Sequence, residues 1–281
     1  MVLRKGGGTV ALEDYLMEPD ALGGERDLVM FDCRFALADP DQGRALYAEG
    51  HIPGAFYLDL NRDLSGPVAQ HGGRHPLPQA SLFVELLASY GVGPLTSVIA
   101  YDDSRFGFAA RLWWMLRALG YRSPRLLNGG YAGYLASGGE PSKAKEPVGP
   151  VSSVMSFAGS STFSGQCNRR ELADLLGAGA VLIDSREPDR YAGLAEPIDP
   201  VAGHIPGAVN FPWQAVTDEQ GRMRDEQTLR AMFGSALDAP ELLVYCGSGV
   251  TACVNLFCLA LLGRRDARLY AGSWSDWCSF L

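Results

Sequence analysis

Residues 50–55 and 203–208 spell the same six letters, GHIPGA, and that identity constrains the fold only if the surroundings repeat as well. They do. VMFDCR at 29–34 returns as VLIDSR at 181–186, VIAYDDSRFGFAARLWWMLRALGY from Val98 as LLVYCGSGVTACVNLFCLALLGRR from Leu242, and LNGGYAGY from Leu127 as YAGSWSDW from Tyr270. Four blocks in one order mean a duplicated domain. Between the copies runs SGGEPSKAKEPVGPVSSVMSFAGSS, rich in Gly, Pro and Ser and without periodicity, which reads as a surface linker. The expected division is a first domain over 1–137, a linker over 138–161 and a second domain over 162–281. The 281 residues suffice for two ordinary domains.

Within each copy short apolar runs alternate with segments of helical period. Leu28–Asp32, Ser97–Tyr101, Val181–Asp184 and Leu242–Tyr245 read as buried strands. In QASLFVELLASYGVGP the residues Leu82, Phe83, Leu86, Leu87 and Tyr90 mark one helical face, and Gly91 and Pro94 stop the helix. RLWWMLRALG has a bulky apolar face that predicts core packing. Trp274 and Trp277 suit packing or a pocket wall. Strands separated by helices predict an α/β fold, each copy a mostly parallel sheet with helices on both faces. The reactive crevice of such a sheet lies beyond the carboxyl ends of its strands.

With 24 basic and 32 acidic residues the net charge is -8, and no cluster of Lys and Arg stands out, which argues against nucleic acid and anionic membrane as partners. The first twenty residues lack the apolar core of a signal peptide, and no apolar run reaches the roughly 18 residues of a membrane span. A cytoplasmic protein is expected. Six cysteines are too few for a disulfide framework, and no CxxC pair suggests zinc. Cys253 and Cys258 read as buried thiols.

One cysteine stands apart. In ELLVYCGSGVTACVNLFCLALLG, residues 241–263, Cys246 directly follows a strand and opens a glycine-punctuated loop leading into a helix. Successive backbone N–H groups at a helix N-terminus favour negative charge, and Gly247 and Gly249 allow close backbone approach. A thiolate is stabilised in such a setting, where cysteine pKa values fall from about 8.5 into the range of about 3.5–7.5. Cys246 is open to two readings, a structural thiol ending a strand and a nucleophile, and its position favours the nucleophile.

The cysteine loop, the preceding DSR, the GHIPGA block and the duplication together resemble the two-domain rhodanese-type sulfurtransferases, over nearly the whole chain. The resemblance implies a catalytically silent first domain and an active second one. Aligning Tyr101 with Tyr245 sets Asp102 where Cys246 stands. It implies that Cys246 takes a sulfur atom from a donor, holds it as a persulfide and passes it on, without metal or organic cofactor. Residues Gly247, Ser248, Gly249, Val250 and Thr251 would cradle the anion, with Ser248 relaying a proton or orienting the donor carbonyl. Arg190 in DSREPDRY stands at the place of a substrate arginine. His75 in GGRHPLP matches the active-site histidine, with Arg74 adding charge beside it. Asn61 stands where an acidic residue is expected, flanked by Asp59 and Asp63, and Asp63 is the candidate to reach in with His75.

CGSGVT resembles the loop of 3-mercaptopyruvate sulfurtransferases, whereas Ile198 stands where those enzymes have a second substrate arginine, so 3-mercaptopyruvate and thiosulfate both stay open as donors. Thiols, thioredoxin and cyanide are the implied acceptors, and a persulfide carrier serving a protein partner is a further reading.

The repeat also acts as an internal control. Asp32 and Asp184, Arg34 and Arg186, and His51 and His204 occur in both copies and therefore read as scaffold. Arg190, Ser248 and Cys246 have no counterpart in the first copy, where Ala38 lies roughly opposite Arg190. A phosphatase of the same fold would need Cys, five residues and then Arg, and an arsenate reductase fails on the same count, because that position is Ala252. A purely binding module would lack the nucleophile.

Overall fold

The structure, a computed structural model, describes residues 15–24, 28–122, 124–146 and 162–281. The first copy builds a five-stranded sheet from Leu16–Met17 (β1), Leu28–Asp32 (β2), Ala55–Tyr57 (β3), Ser97–Tyr101 (β4) and Arg125–Leu127 (β5), in the order β1-β5-β4-β2-β3. The second repeats it with Gln166–Cys167 (β6), Val181–Asp184 (β7), Val209–Asn210 (β8), Leu242–Tyr245 (β9) and Arg268–Tyr270 (β10), in the order β6-β10-β9-β7-β8. All pairings among these strands are parallel. Register repeats too: Asp32 pairs with Tyr101, and Asp184 with Tyr245. The four strands read from apolar runs therefore form with the expected bounds.

The helices are Gln42–Glu49 (α1), Ala80–Ser89 (α2), Ala109–Ala118 (α3) and Gly130–Ala136 (α4) in the first copy. In the second they are Arg169–Gly177 (α5), Pro188–Tyr191 (α6), Glu226–Phe233 (α7), Ala252–Leu261 (α8) and Ser273–Trp277 (α9). Asn168 and Glu171 close a capping box at the start of α5, and Asp225 caps α7. In α2 the inward face consists of Ala80, Phe83 and Leu87, with Leu86 and Tyr90 partly packed, but Leu82 is 58% exposed. At 3.6 residues per turn Leu82 lies about 100° from Phe83. The face is narrower than the apolar sequence suggests.

Every residue of α8 is buried, as are all those of α3 except Arg117, so each helix is covered on all sides. The two pack on each other between the sheets. Trp113 meets Phe257 edge-on at 4.8 Å between ring centroids, and Phe106 and Tyr15 also reach Phe257. One apolar core thus runs from the first copy into the second.

The duplicated polar residues are scaffold in both copies. Arg34 binds the Asp32 carboxylate at 2.6 Å and donates to the Gly50 carbonyl, and Arg186 does the same with Asp184 and the Gly203 carbonyl. The Tyr101 and Tyr245 hydroxyls accept from the Ile52 and Ile205 amides, and His51 and His204 each bond a backbone carbonyl through Nδ1. Of the expected linker, 138–146 returns along the first domain, where Ser142 bridges to His51; residues 147–161 lie outside the described residues. Among the described residues no helix is long and apolar enough to cross a membrane.

Candidate active site

Cys246 is the first residue past β9, at the carboxyl edge of the second sheet, and it is buried. The loop start is pinned by the turn into α9. The Cys246 amide donates to Ser273 Oγ at 3.1 Å, the Trp274 amide donates to the Cys246 carbonyl at 3.0 Å, and the Ser275 amide donates to the Gly247 carbonyl at 2.9 Å. Gly249 has φ of +76°, and a β-carbon there would collide with the Ala271 carbonyl oxygen. No residue with a side chain fits this crossing. Within the described residues the amides of Gly247, Ser248, Gly249, Val250 and Thr251 have no protein acceptor.

The first copy shows what such a loop holds. Asp102, aligned with Cys246, is buried and turns its carboxylate back into its own loop, accepting from the amides of Ser104, Phe106, Phe108 and Ala109 at 2.8–3.0 Å. The first loop is an anion cradle filled by the protein's own carboxylate. The second has a thiol in that place and keeps its amides free.

His75 comes from the first domain and meets the second-domain loop directly, its Nδ1 lying 2.8 Å from Ser248 Oγ. Burial, and then the neighbouring Arg111 and Arg74 charges, lower its pKa to about 4, so the imidazole is neutral at neutral pH. The segment carrying it is clamped onto α9: the Gly72 amide donates to Asp276 Oδ1 at 2.7 Å and the Arg74 amide to Ser275 Oγ at 3.1 Å.

Arg190, on α6, lies over the loop. A β-carbon on Gly247 would stand 3.4 Å from both of its terminal nitrogens and 3.1 Å from Arg74 Nη2. Arg190 is held by Glu196 at 2.8 Å and Asp199 at 3.3 Å, and Arg74 pairs with the other oxygen of Asp199. Burial opposes the charge on Glu196, but the Arg190 hydrogen bonds prevail and keep its carboxyl below the usual range. Burial pushes Asp199 up, against the pull of Arg74.

The structure therefore gathers His75, Ser248 and Arg190 around the Cys246 loop. The Asp63 carboxylate is turned into its own domain: it accepts from the Asp59 amide at 2.7 Å, and the charges that act on it are Asp59, Arg44 and Arg62. Asn61 donates its amide to Asp59 in the same turn. Ile198 is partly exposed, its amide bonded to Glu196. Trp274 is buried and Trp277 stacks on Arg169.

Arg111 carries no site signal of its own in the sequence, where its helix reads as core. It is fully buried in α3 and donates to the Gly249 carbonyl at 2.9 Å and the His75 carbonyl at 3.0 Å, tying the two halves of the site together. The sequence offers only an arginine set among the apolar residues that open the helix, Ala109, Ala110, Leu112 and Trp113. Ala252 opens α8, so no arginine follows the loop.

The rhodanese-like domain model matches residues 18–137 and again 168–280. A protein of Pseudomonas aeruginosa named "Probable 3-mercaptopyruvate sulfurtransferase" is 44% identical over 259 residues, 90% of each chain. The thiosulfate sulfurtransferase of Rattus norvegicus is 33% identical over 252 residues, 84% of this chain and 80% of the rat protein. The crystal structure of the 3-mercaptopyruvate sulfotransferase SseA from Escherichia coli superposes with a TM-score of 0.79 at 30% identity, covering 93% of this chain and 99% of that one. Two matched domains, relatives along most of the chain and a shared fold place this chain in the family of two-domain rhodanese-type sulfurtransferases.

Proposed function

We propose that the chain moves a sulfur atom from 3-mercaptopyruvate to a thiol or cyanide acceptor through a persulfide on Cys246. The observation that carries this reading is the contrast between the two loops: the cradle that Asp102 fills in the silent copy is left, in the second, to a thiol and whatever anion it forms.

In the first half-reaction the Cys246 thiolate attacks the donor sulfur. The new bond is sulfur to sulfur, the donor's carbon–sulfur bond breaks, and its electron pair passes to the carbon as the enolate of pyruvate. The donor's thiol proton ends on that carbon, leaving pyruvate and an enzyme persulfide anion. The amides of Gly247 to Thr251 stabilise this anion, and Ser248 with neutral His75 is placed to pass the proton. In the second half-reaction an acceptor thiolate or cyanide takes the outer sulfur and Cys246 is released as thiolate. Two half-reactions on one nucleophile give ping-pong kinetics. Six free cysteines suit a reducing cytoplasmic setting, in which thioredoxin is an available acceptor. Thiosulfate is the alternative donor, since relatives of both names cover the chain.

The test is mass spectrometry of the reduced protein after one turnover with each donor separately. The expected result is a gain of one sulfur atom on the peptide carrying Cys246, faster with 3-mercaptopyruvate, and no gain in Cys246→Ser. Loading of the serine variant would overturn the mechanism, and faster loading by thiosulfate would reassign the donor.

A further inference from the structure

The geometry points to Arg74 as a specificity-determining residue: across the domain boundary it forms with Arg190 a two-armed guanidinium clamp for the carboxylate of the sulfur donor. This inference rests on the sulfurtransferase reading and adds to it a residue from the other domain.

The structure already holds one carboxylate between these arms. Asp199, whose side chain is 3% exposed, gives Oδ1 to Arg74 Nη1 and Oδ2 to Arg190 Nη2, so the guanidiniums are spaced to share one planar carboxylate, an oxygen each. That carboxylate uses only one edge of each arm. Arg74 Nη2 has no acceptor at hydrogen-bond distance within the described residues, Arg190 Nη1 has there only the half-exposed Glu187 carboxylate at 4.0 Å, and these nitrogens lie over Gly247, next to the nucleophile. A second carboxylate arriving from the loop side meets one arm from each domain. Asp199 acts as a built-in spacer that holds both arms in register before the donor binds.

The arm from the first domain is preorganised. Its backbone is fixed by the Ser275 bond, and a β-carbon on Gly73 would run into the Gly272 carbonyl oxygen at 2.5 Å, so the segment approaches α9 as closely as a glycine permits. Planar, bidentate recognition is the chemistry that distinguishes arginine from lysine. It also distinguishes the donors. In thiosulfate the oxyanion is bonded directly to the transferred sulfur, whereas in 3-mercaptopyruvate two carbons separate sulfur from carboxylate, which gives the reach to the outer arm.

The experiment compares Arg74→Gln and Arg74→Lys with the wild type, all as the full chain, measuring kcat and KM for both donors and the affinity for pyruvate by calorimetry. In Arg74→Gln the KM for 3-mercaptopyruvate is expected to rise roughly tenfold or more, as for loss of a charge-assisted hydrogen bond, with kcat changed little. The ratio of kcat/KM for 3-mercaptopyruvate over thiosulfate falls by a similar factor, pyruvate affinity falls in parallel, and Arg74→Lys restores only part of each. A merely structural arginine would lower both donors together, and that result, or an unchanged ratio, overturns the clamp. If neither donor loads Cys246 in the wild type, the sulfurtransferase reading fails on its own. Pyruvate affinity then still decides the clamp: equal values in wild type and Arg74→Gln overturn it.

Discussion

At the scale of single residues, His75 shows how the site shapes its own pH dependence. The unfolded histidine takes up a proton below about pH 6.5, but the folded one does so only near pH 4, because burial and the Arg111 and Arg74 charges oppose it. Between these values the unfolded state binds more protons, so this contribution to stability is complete above pH 6.5 and drains as pH falls toward 4. The loss amounts to about 3 kcal/mol across the window. Denaturant unfolding at several pH values is expected to give the wild type a steeper acid-side slope than His75→Gln, by up to about 1.4 kcal/mol per pH unit. Equal slopes would mean that His75 is not held neutral. The same residue shows what sequence can reveal: GGRHPLP marked His75 as a candidate, but its contact with Ser248 joins positions in different domains, and no local pattern encodes that distance.

At the scale of elements, the Asp102 and Cys246 loops are one design used twice. The strand that feeds each loop, the helix that follows it and the glycine blocks around it were legible because apolar runs and repeats report burial and turns directly. The occupant of the cradle was legible only as a letter, Asp102 in place of Cys246; that its carboxylate closes on four amides of its own loop emerges only from the folded backbone. Asp63 shows the converse. Its place in the sequence suggested the site, whereas its side chain closes the Asp59 turn instead. The self-filled cradle carries a stability prediction. Asp102→Ala leaves buried amides without an acceptor and should cost roughly 3–5 kcal/mol by urea unfolding, since each unpaired group costs about 1–3 kcal/mol before relaxation and entering water recover part. Asp102→Asn keeps the shape but turns two donors toward amides that are donors themselves, and should recover less than half of that loss. A cost below about 1 kcal/mol for the alanine variant would show that the carboxylate does not organise the loop.

At the scale of the whole molecule, the site exists because the two copies share a core. α3 and α8 bury each other, and Arg111 passes from α3 under both the cysteine loop and the His75 segment. Burial works against its charge, its Nε has no partner among the described residues, and its bonds go to carbonyls of Gly249, His75 and Leu64. Such a cation is worth little to stability as a charge, but its removal leaves carbonyls from both domains unpaired. Arg111→Met, which keeps much of the volume, is therefore expected to lower the unfolding free energy by about 2–4 kcal/mol. It should also slow sulfur loading of Cys246, because the Ser248–His75 contact and the Gly249 turn lose their common anchor. With one continuous core the wild type should unfold in a single transition, tryptophan fluorescence and far-ultraviolet circular dichroism coinciding. Two separated transitions in the wild type would show that the copies fold independently. An Arg111→Met protein with unchanged loading rate would show that the anchor is structural alone, with the site's geometry secured by the apolar interface.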